Sequence, residues 1–243
     1  MAEQKQGELV RIDRFGDDTK LLSFRTPSGL GFRGGQYIIV DTGILIAGNK
    51  IAKRAYSILS SDKIQNEFQI AVKRLGGGPG SNFMHRLEVG AELRFSGPWG
   101  KLVANGADSD ALVFATDTGI TAGLGLLNGN GMAGMLHEAK LIWLAESPHY
   151  FLPFEFLISR LDQIGLRNWA VKEVPRVAEP SRAVKALELA DEVLFQALPK
   201  SVFLAGDGSL IYPFRNRLIE AGVSAENIRL ECFFNNPERK AAA

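Results

Sequence analysis

The sequence predicts two domains, an antiparallel β-barrel over residues 1–105 and an α/β domain with a mostly parallel sheet over 106–243. A change of texture along the 243 residues carries that prediction. Before about residue 105, short runs alternate apolar and polar residues with the period of two that half-buried strands require. Beyond it, strand-like apolar runs alternate with helix-like ones, the order that builds a parallel sheet covered on both faces. The polar connector Asn105-Gly106-Ala107-Asp108-Ser109-Asp110 separates the two textures.

In the first part, Val10 and Ile12 alternate with Arg11 and Asp13, and Leu22 and Phe24 alternate in the next segment. Tyr37-Ile38-Ile39-Val40 follows Gly34-Gly35, and residues 41–53 read as a long loop. Phe68, Ile70 and Val72 form another alternating run, as do Leu93 and Phe95. Turn residues punctuate these runs at Pro27-Ser28-Gly29, Gly76-Gly77-Gly78-Pro79-Gly80 and Gly97-Pro98, where Gly and Pro supply the special backbone angles. In the second part, strands are predicted at 111–115, 140–145, 169–174, 201–205 and 228–233. Helices are predicted at 120–127, 154–161, 183–198 and 212–221.

A hydrophobic share of 46% supports a real core, as in ordinary globular domains. With 28 basic against 27 acidic residues there is no bulk field to draw nucleic acid or an acidic membrane. The single cysteine, Cys232, excludes an internal disulfide and a four-thiolate iron–sulfur cluster within the chain. Any iron–sulfur partner is then another polypeptide. The start MAEQKQGELV has no apolar signal region. The apolar stretch 111–127 is interrupted by Asp117 and too short to cross a bilayer. A cytoplasmic protein with neither nucleic-acid nor membrane partners is expected.

Arg54-Ala55-Tyr56-Ser57 sets a cation, a hydroxylated aromatic and a small hydroxyl within four residues. On a strand, side chains alternate, so Arg54, Tyr56 and Ile58 are expected on one face and Ser57 on the other. Such a set suits a ligand that is part diphosphate and part flat heteroaromatic ring, as flavin adenine dinucleotide (FAD) is. Downstream, Gly78-Pro79-Gly80-Ser81 precedes a short helix over 82–87, with Ser81 or Asn82 as its N-cap. Free N–H groups at a helix start attract phosphate. Gly35-Gln36-Tyr37, Val72-Lys73 and Gly97-Pro98-Trp99-Gly100 complete an ordered series.

This series resembles the ferredoxin–NADP reductase superfamily, with its Arg-x-Tyr-Ser strand, Val-Lys strand end, Gly-x-x-Ser phosphate loop and Gly-Pro-x-Gly turn. The resemblance extends over nearly the whole chain. It implies a Greek-key, flavin-binding barrel followed by an NAD(P)-binding-like domain, with FAD preferred over FMN. By the resemblance, Arg54 neutralises the flavin diphosphate. Tyr56 packs on the flavin, and Ser57 hydrogen-bonds near flavin N5. Val72 and Lys73 lie along the cofactor, and Gly80, Ser81 and Asn82 cradle phosphate.

The second domain keeps Thr118-Gly119-Ile120-Thr121 of the family's nucleotide turn, with Thr118 and Gly119 implied as nucleotide contacts. Thr116 and Asp117 replace two glycines there, and Ala122 replaces a proline. Asp117 either faces the diphosphate, at a cost of about 4 kcal/mol for unit charges 4 Å apart, or turns aside and caps the helix. Ala205 stands where the family has a cysteine by the nicotinamide, and Ser147 stands near the place of an arginine. Arg176, Arg182 and Lys185 are candidate partners of a 2′-phosphate but do not decide between NADP and NAD. At the end, Glu231 either relays a proton or fixes nicotinamide, or is a strand-edge carboxylate. Phe233 or Phe234 shields the flavin. The tail 235–243 either folds over the flavin or is disordered.

The implied activity is electron transfer between NAD(P)H and a separate protein such as a ferredoxin, a flavodoxin or an oxygenase component. Hydride passes between nicotinamide C4 and flavin N5, the rings about 3–3.5 Å apart. Ser57, Tyr56 and Glu231 are the implied catalytic residues. The alternative is a flavoprotein electron-transfer or flavin-binding subunit that has lost NAD(P)H binding.

Overall fold

The computed structural model describes residues 3–46, 50–76, 78–106, 109–196 and 198–240. Gly77 of the glycine run, Ala107 and Asp108 of the connector, residue 197 within the predicted helix 183–198 and the end 241–243 lie outside the described residues.

The first domain is one six-stranded antiparallel sheet. Its strands are β1 (Gln4–Phe15), β2 (Thr19–Arg25), β3 (Tyr37–Ile46), β4 (Lys50–Ser57), β5 (Glu67–Lys73) and β6 (Glu92–Trp99), with α1 (Pro79–Arg86) between the last two. The order β4-β3-β6-β1-β2-β5 is a Greek-key arrangement. The edges meet just past β4, where Leu59 N donates to Gln69 O of β5 at 2.9 Å. Leu22, Phe24, Ile38, Val40, Phe68, Ile70, Leu93 and Phe95 point inward and are buried.

Two expectations are corrected here. Leu9, not Val10, is fully buried, while Ile12 still packs on the barrel core. A register shift between Leu9 and Arg11 explains this, because one extra residue in a strand inverts the alternation beyond it. Of the residues read as a loop, 41–46 and 50–53 are instead paired strand, the end of β3 against the start of β4, with Asp41 opposite Lys53 and Leu45 opposite Ile51. A second register shift, between Asp41 and Leu45, breaks the regular alternation that would have marked it in the sequence. Residues 47–49 lie outside the described residues.

The second domain is a five-stranded parallel sheet in the order β11-β10-β7-β8-β9. Its elements are β7 (Ala111–Thr116), α2 (Ile120–Leu127), β8 (Lys140–Ala145), α3 (Phe154–Ile164), β9 (Asn168–Glu173), α4 (Ser181–Gln196), β10 (Ser201–Asp207), α5 (Gly208–Glu220), β11 (Ile228–Phe234) and a last turn, α6 (Pro237–Lys240). Every residue of β7 and β10 is buried, as central parallel strands covered on both faces must be. Among the described residues no helix is long and apolar enough to cross a membrane.

α2 is buried along its whole length because it is pressed between its own sheet and the barrel. Glycines permit that approach. A Cβ on Gly125 would lie 2.0 Å from the Ile58 carbonyl oxygen, and one on Gly34 would lie 2.4 Å from the Gly125 carbonyl oxygen. Asp62 fastens the same joint, accepting from Gly34 N at 2.9 Å and from Asn130 N at 2.8 Å. The domains are thus joined backbone to backbone, and the groove beside the joint has a defined width.

Candidate functional site

A cleft of about 500 Å³ lies between the domains. Arg54, Tyr56, Ser57 and Lys73 face it from the barrel, and Gly78 and Ser81 from the start of α1. Thr118, Thr121, Tyr150, Phe233 and Phe234 face it from the second domain. β4 arrives end-on, so all of 54–57 line the cleft. The strand stops at Ser57, and Ile58 then turns into the barrel core. Tyr56 also packs in part on that core while lining the cleft.

Arg54 crosses α1 at Gly80, where an added Cβ would sit 2.3 Å from Arg54 Cγ. Gly80 is the gap through which the arginine stem passes. Tyr56 is half-buried, and burial pushes its hydroxyl up to about 12, with Arg54 pulling the other way. The phenol is therefore a protonated donor at neutral pH. Ser57 is buried in the cleft wall.

α1 starts earlier than expected. Pro79 opens it and Gly78 is the cap, because proline's fixed φ suits a first helical position. Ser81 and Asn82 are thus inside the helix and cap nothing. Ser81 Oγ instead accepts from Leu75 N at 3.1 Å and braces the glycine loop. The helix start has no side-chain cap, which leaves it open to an anionic oxygen. A cation, an uncapped helix start and an aromatic-walled slot fit the flavin dinucleotide expected from the sequence.

Other expected residues are placed differently. Val72 turns its side chain into the barrel core, since the strand's alternation sends Lys73 to the cleft and Val72 away. Lys73 is engaged already, with Asp18 at 2.6 Å and the Tyr150 carbonyl at 2.9 Å. Asn82 faces away from the cleft and accepts from Arg74 Nε at 3.1 Å. Gly119 packs on β10, where a Cβ would lie 2.3 Å from Ala205 O. Phe234 lines the cleft, whereas Glu231 Oε2 lies 3.3 Å from where a Cβ on Gly100 would be, beside the turn after β6. The tail turns back on α5, with Tyr212 OH donating to Asn236 Oδ1 at 3.4 Å. Tyr150 was missed by sequence reasoning. Its only signal is an aromatic in the loop after β8, and burial pushes its hydroxyl up to about 12.

Asp117 resolves neither way anticipated from the sequence. It has a positive φ, 53°, a conformation Asp tolerates better than most residues. Its carboxylate points inward, is 1% exposed, and accepts from Arg182 Nη2. It caps no helix and does not face the cleft. Arg182 Nε lies 3.6 Å from Asp207 Oδ2. Asp207 Oδ1 caps α5, accepting from Ser209 N at 2.9 Å and from Asn235 Nδ2 at 3.1 Å. The triad is fully buried and carries two carboxylates to one guanidinium. Arg182 is thereby withdrawn from the cations that sequence offered to a 2′-phosphate. It is spent on charges that burial would otherwise leave unpaired.

Burial raises the Asp117 carboxyl from its ordinary 3.8 to about 6, Arg182 opposing and Asp207 assisting. A carboxyl raised on folding contributes stability that is full below its unfolded value and lost as pH rises through its folded value. Asp117→Asn is expected to flatten the stability profile between pH 4 and 6.5 by about 3 kcal/mol, from about two units at 1.36 each. Urea unfolding at stepped pH measures this, and an unchanged slope would refute it.

Residues 6–103 match the family model for the oxidoreductase FAD-binding domain. Ferredoxin–NADP reductase B of Sorangium cellulosum (strain So ce56) is 36% identical over 146 residues, 59% of this chain and 57% of that protein. The ferredoxin reductase component of 3-ketosteroid-9-alpha-monooxygenase from Mycobacterium tuberculosis is 21% identical over 236 residues, 89% of this chain and 62% of that protein. The chain thus spans less than two thirds of the length of these curated relatives. The structure of a ferredoxin NADP+ reductase from Neisseria gonorrhoeae with bound FAD and NADP superposes with a TM-score of 0.75 at 18% identity, covering 96% of this chain and all of that one.

Proposed function

Since this chain belongs to the ferredoxin–NADP reductase superfamily, with an FAD-binding first domain, we propose that it is an oxidoreductase passing electrons between NAD(P)H and a separate protein acceptor. The acceptor class is a ferredoxin, a flavodoxin or an oxygenase component. The supporting observation is the cleft itself, which joins Arg54, Tyr56 and Ser57 to Thr118, Tyr150 and Phe234 across the domain joint.

FAD, when bound, supplies a ring that takes up a hydride and releases electrons singly. Arg54 and the uncapped start of α1 hold its diphosphate, two positive features meeting at Gly80. Tyr56 donates its phenolic proton in a hydrogen bond and packs its ring in the slot. Ser57 presents a buried hydroxyl at the strand end, oriented by β4 and β3 pairing Ser57 with Tyr37. Phe233 and Phe234 exclude water from the opposite side, and Thr118 and Thr121 leave a polar edge for the nicotinamide amide.

The test is anaerobic. The purified protein should be yellow and should bleach on adding NADH or NADPH. Arg54→Ala should weaken FAD binding about 100-fold, the loss of one charge-assisted contact to a phosphate of about 2–3 kcal/mol. Flavin fluorescence titration reads this, and unchanged affinity would remove Arg54 from the site.

A second reading, an electron-transfer subunit that does not use NAD(P)H, is favoured by the surplus negative charge of Asp117, Arg182 and Asp207 behind the nucleotide turn. It requires reduction by dithionite with no bleaching by either dinucleotide.

A further inference from the structure

We propose a second ligand site, on the outer face of α1, that takes a compact anion carrying two phosphate groups, as free diphosphate or as the end of a nucleoside diphosphate. The site is separate from the cleft between the domains and stands independently of the NAD(P)H reading.

A cavity of about 360 Å³ lies where the β1–β2 turn meets α1 and the end of β5. That is the small end of the range for ligand pockets, roughly 300–1,000 Å³. Four cations line it, each from a different element: Arg14 near the end of β1, Lys20 in β2, Arg74 just past β5 and Arg86 in the last turn of α1. Arg14 stands directly opposite Lys20 across the hairpin, a like-charge pairing that destabilises a sheet. Lys20 is 6% exposed, and its Nζ donates to the His85 carbonyl at 2.5 Å, which fixes the ammonium in the pocket wall. Burial holds that ammonium below its ordinary pKa, and Arg14 and Arg74 act in the same direction, with Glu88 opposing. The cations are thus close enough to work against one another's charge.

The protein offsets little of this charge. Among the described residues, none of the four cations forms an ion pair with a carboxylate. Asp13 is taken by Arg11 at 2.7 Å and Asp18 by Lys73 at 2.6 Å. Arg74 Nε donates to the neutral Asn82 side chain at 3.1 Å. Asp17 is the one carboxylate in the described wall. A helix end is an ordinary reason for basic residues, but the end of α1 adds only about half a negative charge. Four cations less one carboxylate leave a surplus of three. A phosphate group carries about −1.5 to −2 at neutral pH, so one falls short of that surplus and two match it. Guanidinium forks pair bidentately with phosphate oxygens, and three of the four cations are arginines. Neighbouring residues separate this pocket from the flavin. Lys73 and Ser81 face the cleft, whereas Arg74 and Asn82 line the pocket, so an anion here leaves the FAD site unobstructed.

The test uses the FAD-loaded protein. Calorimetry measures the binding of orthophosphate, diphosphate, ADP and an oligoglutamate peptide. Diphosphate should bind once per chain, at least about tenfold more tightly than orthophosphate, and more weakly as NaCl is raised. Arg14→Gln and Arg86→Gln should each weaken it about tenfold, the scale of one charge-assisted hydrogen bond, with the flavin spectrum unchanged. Both side chains are exposed, so neither change threatens the fold. ADP binding more tightly than diphosphate, with the same loss in both variants, supports the site and identifies a nucleotide as the source of the phosphates. Equal affinity supports the site and identifies free diphosphate. No saturable diphosphate binding below about 1 mM overturns the inference. Affinity unmoved by either variant also overturns it and places the anion in the cleft between the domains. Oligoglutamate binding more tightly than diphosphate, and lost in both variants, overturns it by making the face a docking surface for an acidic protein. No dinucleotide reductant enters these measurements, so bleaching by NADH or NADPH is decided separately.

Discussion

Arg182→Ala is expected to cost about 3–5 kcal/mol of stability, the penalty for stranding buried charge. Arg182 is 2% exposed and is the guanidinium between Asp117 and Asp207. Its Nη1 also donates to the Pro175 carbonyl at 2.7 Å, so its loss frees the chain leading into α4. Without it, two carboxylates remain in the interior with no counter-charge. Asp117, whose carboxyl burial already raises, escapes by taking up a proton, so the loss should be larger at pH 8 than at pH 5. For a chain of this length the melting temperature should fall by about 6–20 °C. Calorimetric or spectroscopic melts at both pH values decide the matter. A loss under about 1 kcal/mol, or one independent of pH, would show that Arg182 is not what keeps the Asp117 carboxylate charged.

The second large effect is expected at the domain joint. Gly125→Ala places a methyl 2.0 Å from the Ile58 carbonyl oxygen. The obstacle is backbone, so no rotamer change relieves it, and α2 must move off the barrel. Overpacking of this kind costs about 1–3 kcal/mol, and the shift should widen the cleft and weaken FAD binding about tenfold. Gly123→Ala is the internal control. It lies on the same helix, gains the same helix propensity of about 1 kcal/mol, and meets nothing closer than Val113 Cγ1 at 3.3 Å. Denaturant titration and flavin fluorescence should separate the two variants. Equal behaviour would mean that the glycine contact does not set the spacing of the domains.

Much of this architecture is legible in the sequence because it is written in neighbouring residues. The strand and helix runs of the second domain follow from apolar periodicity, and the predicted strand 140–145 coincides with β8. The Arg54-Ala55-Tyr56-Ser57 and Gly78–Ser81 segments each act through contiguous backbone, and they converge on one cleft. The inward side of β1 and the paired strand at 41–46 and 50–53 were less legible, because a bulge breaks the period on which such reading depends. Asn82 and Val72 were legible as residue types in a motif but not as directions, since which side of a helix or strand meets the ligand depends on where that element begins and what it packs on.

By itself, the sequence determined two domains, a flavin-type motif series, and a nucleotide turn in which Asp117 stands at a glycine position. Only the tertiary structure decided what Asp117 does. Its partner Arg182 is 65 residues away, and no local pattern links the two. What links them is burial: a carboxylate held inside, in the turn after β7, must find a cation, and folding brings α4 to supply it. The same holds for Gly125 against Ile58 and for Tyr150 in the cleft wall. Local chemistry names the groups, and close packing between distant segments assigns their partners.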